Sequence, residues 1–241
     1  MKGKRWRVTA EKFLSQEELN RLLDYLLRER DLALARGNRF QSVKNYYLIR
    51  GLLETGARSF EFCDLKESDF NGLKLNIRNG KGSKPRTIIL TRSAAGLFNE
   101  WIAIKKEFGL PVGPHSPLFP SKYKDHFSTR ALRKIVKKIF RAVGLRENLS
   151  THSTRHQYCS MLLSSGKVGL GTARDNMGHS SIAVTDLYTH AVSNLGDLDL
   201  YSEEGTTISK KSAPSENLES SRSNIVGALL RKRHPKLRDP K

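Results

Sequence analysis

Six side chains in this chain have the types that phosphate chemistry needs. Arg58 lies in "ETGARSFEF", Lys81 in "GKGSK", His152 and Arg155 in "THSTRH", and His179 and Tyr188 in "GHSSIAVTDLYTH". Breaking a phosphodiester takes a nucleophile, cationic donors around the five-coordinate phosphorus and an acid for the leaving oxygen. Singly, each residue has an ordinary explanation. Arg58 can pair with Glu61 three residues on. A lysine at a hairpin tip protects a sheet edge. His152 and Arg155 can cap a helix or lie on the surface, and Tyr188 can pack in the core. Together, the set calls for a common explanation. His152 and His156 have a helical zinc spacing, but no glutamate base lies between them and Arg155 would set a cation beside the metal. No metal is expected.

The charge points the same way. Lys and Arg number 43 against 24 acids, a net charge of +19, which favours a polyanionic partner, nucleic acid first. The cysteines, Cys63 and Cys159, lie among apolar residues outside any CxxC pattern and read as reduced core thiols. The start, "MKGKRWRVTAEKFLSQEE", has no apolar core of a secretory signal, and no apolar run is long enough to span a bilayer. A cytoplasmic protein at work on nucleic acid, with no membrane partner, is expected.

The elements that must position these residues follow from pattern. Ser15 and Glu18 form a capping box ahead of Leu19, Leu22, Leu23, Leu26 and Leu27 at helical spacing. A second helix is expected over Gln41–Glu54, closed by Gly56. "LKLNIRN" from Leu73 and "RTIIL" ending at Leu90 read as two strands around the turn-rich "GKGSKP", a hairpin with a basic tip. Helices are expected at Ser93–Phe108 and Thr129–Val143, separated by a proline-rich surface loop, and further helices from Thr154 and from Ile182. After Tyr201 the chain turns polar and Ser-rich and is expected to be disordered, ending in the basic "RKRHPKLR". The fold class is mainly α with a small antiparallel β-sheet (α+β).

In order and at sensible spacing, "TGARSFE", "GKGSK", "HSTRH" and "MGHSSIAVTDLYTH" match the boxes TGxRxxE, GKGxK, HxxRH and LGHxS…TxxYTH. Over about Leu14 to Asn194 the sequence resembles the tyrosine recombinases, the phage integrase family that includes the Xer recombinases and the fimbrial invertases. The resemblance implies a site-specific DNA recombinase that cleaves and rejoins strands in integration, excision or inversion. Tyr188 resembles the nucleophile that becomes a 3′-phosphotyrosine. Arg58 and Arg155 match the arginines on the non-bridging oxygens, where planar forks suit phosphate. Lys81 matches the general acid for the 5′ oxygen. His152 and His179 match the histidines that assist proton transfer, and Glu61 an acid that orients its surroundings. Lys84 and Arg86 are expected on the DNA backbone. The phosphotyrosyl link conserves energy, so neither ATP nor another cofactor is implied.

The resemblance also implies a domain plan: a basic segment over 1–13, a recombinase catalytic domain over 14–201 and a tail over 202–241. Double-stranded DNA is the implied partner, with a homotetramer on synapsed DNA and possible accessory proteins. Leu195, Leu198 and Leu200 either dock in a neighbouring subunit or fold back on their own domain. Several features depart from the pattern. Met177 replaces a leucine, Ser153 and Thr154 replace an apolar residue, and Gly169 and Gly171 weaken the local helix. Only a short basic segment stands where most members carry a helical core-binding domain. Three rival functions are a type IB topoisomerase, a non-catalytic DNA-binding accessory or regulatory protein on the same fold, and a basic RNA-binding domain. The "GHSS" and "GKGSK" boxes favour the recombinase over the first. The complete residue set argues against the second, and the lack of an RNP-type motif against the third.

Overall fold

The computed structural model of the protein describes residues 10–37, 40–80, 84–121, 125–165 and 169–178. Lys81, His179, Tyr188, the helix expected from Ile182, Leu195, Leu198, Leu200 and the 202–241 tail lie outside them. Among the described residues there are seven α-helices and one three-stranded antiparallel sheet. The expected mainly-α class with a small sheet is therefore the observed one.

Helix α1 (Gln16–Arg36) starts at the expected capping box. Ser15 Oγ accepts from Glu18 N at 3.1 Å and Glu18 returns a carboxylate oxygen to Ser15 N at 2.9 Å. Helix α2 (Phe40–Thr55) is buried almost all round, because α1, α4 (Arg92–Glu107) and α6 (Thr151–Ser164) all pack on it. The main core lies among α1, α2, α4 and α5 (Thr129–Ala142), and α6 packs a smaller cluster of Tyr158 and Cys159 with Phe13 and Met177. At the centre of the main core the rings of Tyr47 and Phe119 stack on Trp101, whose indole N–H donates to Leu118 O at 2.7 Å. Cys63 and Cys159 are buried free thiols, as expected.

The hairpin pairs β2 (Lys74–Ile77) with β3 (Arg86–Ile89), and β1 (Phe70–Asn71) adds a short edge the sequence pattern had not signalled. Leu75 pairs with Ile88 and Ile77 with Arg86, so the buried residues of both strands share one face.

Three elements differ from expectation, each for a local reason. A single-turn helix, α3 (Ser59–Cys63), follows the Gly56 turn where the sequence pattern only ended a helix. Helix α6 begins at Thr151 rather than Thr154, because Ser150 caps it: its Oγ accepts from His152 N at 3.3 Å, and Ser153 Oγ accepts from Ser150 N at 3.1 Å. Helix α7 (Leu170–Met177) forms despite its glycines. Gly169 serves as its N-cap, where glycine costs little, and Gly171 sits in the first turn.

Candidate active site

The site is assembled where three helix ends meet. Helix α2 stops at Thr55, whose hydroxyl donates to Gly51 O at 2.7 Å and accepts from Ala57 N at 3.3 Å. Gly56 then takes a left-handed conformation (φ 56°), and a Cβ there would fall 2.2 Å from Tyr158 Cδ1. No other residue fits this turn. The turn delivers Arg58 to the N-cap of α3. Ser59 Oγ donates to Thr151 Oγ1 at 3.0 Å, which joins the start of α3 to the start of α6. Arg58 is thereby brought to the end of the helix that carries His152 and Arg155.

The third end is the C-terminus of α7. Three successive carbonyls there accept from three arginines of three different elements. Arg86 Nε donates to Asn176 O at 3.0 Å, Arg155 Nη2 to Met177 O at 2.5 Å, and Arg58 Nη2 to Gly178 O at 3.0 Å. These carbonyls lack partners within the helix and carry its negative dipole end, so cations are the favoured donors. Arg155, buried, also donates from Nη1 to the Gly56 carbonyl at 2.6 Å, which ties the α2 turn to the α7 end. Gly178 closes α7 in the left-handed region (φ 61°).

Glu61 anchors the cluster from beneath. Its side chain is fully buried. Oε1 accepts from Arg58 Nη1 at 2.9 Å and from Arg86 Nη1 at 2.7 Å. Oε2 accepts from Arg58 N and from Arg86 Nη2, both at 2.8 Å. Burial alone would raise its carboxyl pKa. The Arg86 and Arg58 hydrogen bonds and the Arg86 charge outweigh burial and bring it down to about 2. The pairing of Arg58 with Glu61 is thus real, and it is part of the cluster rather than an alternative to it.

His152 stands exposed on the first turn of α6. Partial desolvation, then the charges of Arg155, Arg133 and Arg58, hold its imidazole below the usual histidine range, so the neutral ring is favoured at neutral pH. His156, four residues on, is tucked against the Phe13 ring (centroids 5.8 Å apart), and burial with neighbouring cations pushes it down to about 4. Among the described residues no group of three His, Cys, Asp or Glu is arranged to hold a metal.

Arg58, Glu61, His152 and Arg155 therefore converge as the sequence predicts, and Lys84 is exposed beside the hairpin tip. Arg86, expected at the DNA, is bonded into the protein. All three of its side-chain nitrogens are bonded within the protein and its side chain is 11% exposed. The signal was present in strand alternation: Arg86 and Ile88 lie on the same face of β3, and Ile88 is fully buried. Sequence reasoning also passed over Asn176, whose Oδ1 accepts from Ile89 N at 3.3 Å and ties α7 to β3. It placed α5 but passed over its charge. That helix carries Arg130, Arg133, Lys134, Lys137, Lys138 and Arg141 and no acid, and Arg133 is close enough to act on His152.

Comparison with known proteins agrees with this geometry. Residues 12–194 match the family model described as the phage integrase family. The chain is 30% identical over 188 residues to the tyrosine recombinase XerD of Brucella suis, covering 75% of this chain and 59% of that protein. The chain thus spans about half the length of the curated relatives it matches. Among solved structures, the XerH site-specific recombinase bound to its difH substrate is 27% identical, with a TM-score of 0.57 over 76% of this chain and 52% of that one. The fold also matches that of XerA recombinase, with a TM-score of 0.59, 20% identity, and coverage of 99% of this chain and 68% of that one. No helix among the described residues is long and apolar enough to cross a membrane.

Proposed function

Because the chain belongs to the phage integrase family, we propose that it is a site-specific DNA recombinase that cuts and rejoins strands through Tyr188. The observation that carries this reading is the convergence of Arg58, Arg155 and His152 where α3, α6 and α7 meet. The α7 turn at Gly178 leads directly into "HSSIAVTDLYTH". A guanidinium has five N–H donors. Arg58 gives one to Glu61 and one to Gly178 O, which among the described contacts leaves its Nε–H and one hydrogen on each Nη for a phosphate. Held from behind, it has little freedom to lose when that phosphate arrives.

In the proposed step the Tyr188 phenolate oxygen attacks the scissile phosphorus and the P–O5′ bond breaks. Arg58 and Arg155 take the charge that grows on the non-bridging oxygens. Neutral His152 takes the proton that the Tyr188 phenol loses, Lys81 gives a proton to the departing 5′ oxygen, and His179 donates a hydrogen bond to the phosphoryl group. Attack by a free 5′ hydroxyl on the phosphotyrosine runs the step backwards onto a new partner strand. Metal and nucleotide have no part in this balance. Lys84 and the basic α5 neutralise the flanking DNA backbone. Strand exchange between two duplexes engages four subunits, so a homotetramer on DNA follows from the reaction.

The test is a nicked duplex that carries the chain's own flanking repeats, on which cleavage releases a short strand and traps the covalent complex. Wild type should form a protein–DNA adduct and Tyr188→Phe should bind equally well and form none. An adduct with Tyr188→Phe means that another residue is the nucleophile. Tight specific binding with no adduct from wild type means that the protein is a DNA-binding regulator on a recombinase fold.

A further inference from the structure

Arg86 is bonded to the same carboxylate as Arg58. Its fork is bidentate to Glu61, at 2.7 and 2.8 Å, and its Nε holds Asn176 O at 3.0 Å. Glu61 Oε1 is shared between Arg86 and Arg58. This sharing has an electrostatic consequence. A buried Glu61 paired with Arg58 alone would cancel the charge of Arg58 at short range. With Arg86 on the same carboxylate, the three groups carry one net positive charge. Arg58 is then both fixed in direction and still cationic toward a phosphate.

Arg86 also supports the segment after α7. A Cβ on Gly178 would come 2.9 Å from Arg86 Cδ and 3.0 Å from its Nε, so the backbone of that turn lies directly on the arginine side chain. Through Asn176 O and this contact, Arg86 sets where the chain leaves α7 toward His179.

We infer that Arg86 is a positioning residue for strand cleavage. It frees the charge of Arg58 from Glu61 and seats the α7 exit, and it makes no contact with DNA. The inference rests on the recombinase reading, and the experiment below separates the two.

The variants are Arg86→Gln, Arg86→Lys, Glu61→Gln and the double Arg86→Gln/Glu61→Gln, with Lys84→Ala as the backbone-contact reference. Three quantities are measured: duplex affinity against salt, the single-turnover rate of adduct formation on the nicked duplex, and the urea midpoint. Arg86→Gln should keep the wild-type salt slope and slow adduct formation about a hundredfold. Arg86→Lys, which keeps the charge but loses the fork, should fold like wild type and slow the reaction about tenfold. The double variant should react faster than Arg86→Gln, because no carboxylate is left to neutralise Arg58. It should also be no less stable than Arg86→Gln. A salt slope lowered by about one for Arg86→Gln would make Arg86 a phosphate contact and overturn the inference. So would a double variant that reacts more slowly than Arg86→Gln. Where wild type itself forms no adduct, the recombinase reading fails. The salt slope and the stability cycle still decide whether Arg86 serves Glu61 or DNA, and additive losses in the cycle would count against the inference.

Discussion

Gly178→Ala is a sensitive probe of the cluster, because one methyl group meets two independent costs. The backbone at Gly178 is left-handed (φ 61°), where an alanine costs about 1–2 kcal/mol. The new Cβ would also lie 2.9 Å from Arg86 Cδ and 3.2 Å from Cζ. An arginine with a loose end would swing away. This one is held by Glu61 on both oxygens and by Asn176 O, so moving it by a few tenths of an ångström strains charge-assisted bonds worth about 1.5–3 kcal/mol each. A loss of about 2–4 kcal/mol in unfolding free energy is expected, with a larger relative loss in adduct formation, since Arg58 also bonds the Gly178 carbonyl. Urea denaturation at neutral pH measures the first and single-turnover cleavage the second. Gly178→Asn separates the two costs: asparagine tolerates the left-handed region but keeps the clash. It should recover about 1 kcal/mol and little of the activity. An alanine variant within about 0.5 kcal/mol of wild type would refute both the pinned arginine and the packed turn.

Arg58→Lys keeps a charge and loses the fork, so cleavage should fall about a hundredfold, or about 2.7 kcal/mol, with a much smaller change in DNA affinity; equal losses would mean that Arg58 only binds. Glu61 titrates at about 2 in the folded chain against 4.5 for an ordinary carboxylate. Its stabilising contribution is therefore full above about pH 4.5 and is lost as pH falls through about 2. Urea midpoints taken from pH 6 to pH 2.5 should decline less steeply for Glu61→Gln than for wild type. Burial holds Lys44 down at about 8, so the folded chain gains stability as pH rises from about 8 to 10.5, and Lys44→Met should raise the melting temperature at pH 7 and flatten that rise. Lys134→Ala and Lys138→Ala, on the exposed side of α5, should each weaken duplex binding across all sequences and lower the salt slope by about one; an unchanged slope would turn α5 away from DNA.

Local signals made most of the elements legible. The capping box at Ser15, the Gly56 stop and the alternation in β2 and β3 act over a few residues, and the structure follows them closely. The elements that escaped, β1, α3 and α7, are too short for periodicity to reveal and are held by bonds to neighbouring elements. Arg58 bonds across 120 residues to Gly178, and Arg155 across 99 to Gly56. No window along the sequence contains such pairs. The candidate site residues came from distinctive boxes, of which Arg58, Glu61, His152 and Arg155 lie among the described residues, and Arg86 came from its neighbours. Next to Lys84 and the basic hairpin tip its charge suggested DNA, and only its register with Ile77 shows that it faces inward.

The letters that make the boxes recognisable fall into two groups. In "TGARSFE", Thr55 fastens the turn, Gly56 permits it and offers a carbonyl to Arg155, and Glu61 clamps Arg58. In "MGH", Met177 and Gly178 supply carbonyls to Arg155 and Arg58. These residues hold the site together and need not touch the substrate. A chain under pressure only to keep its fold would retain many of them, because losing Glu61 leaves buried guanidinium groups without their partner and a Cβ at Gly56 or Gly178 would crowd a left-handed turn. The arginines belong to this structural group as well, since both are bonded into the protein. Their presence supports the geometry of a phosphate site more strongly than it supports turnover. Tyr188 and Lys81, which lie outside the described residues, are the two proposed to form the covalent link and to protonate the leaving oxygen. The distinction between an active recombinase and a DNA-binding relative on the same fold therefore rests on those two positions, and adduct formation by wild type and by Tyr188→Phe is the measurement that reads it.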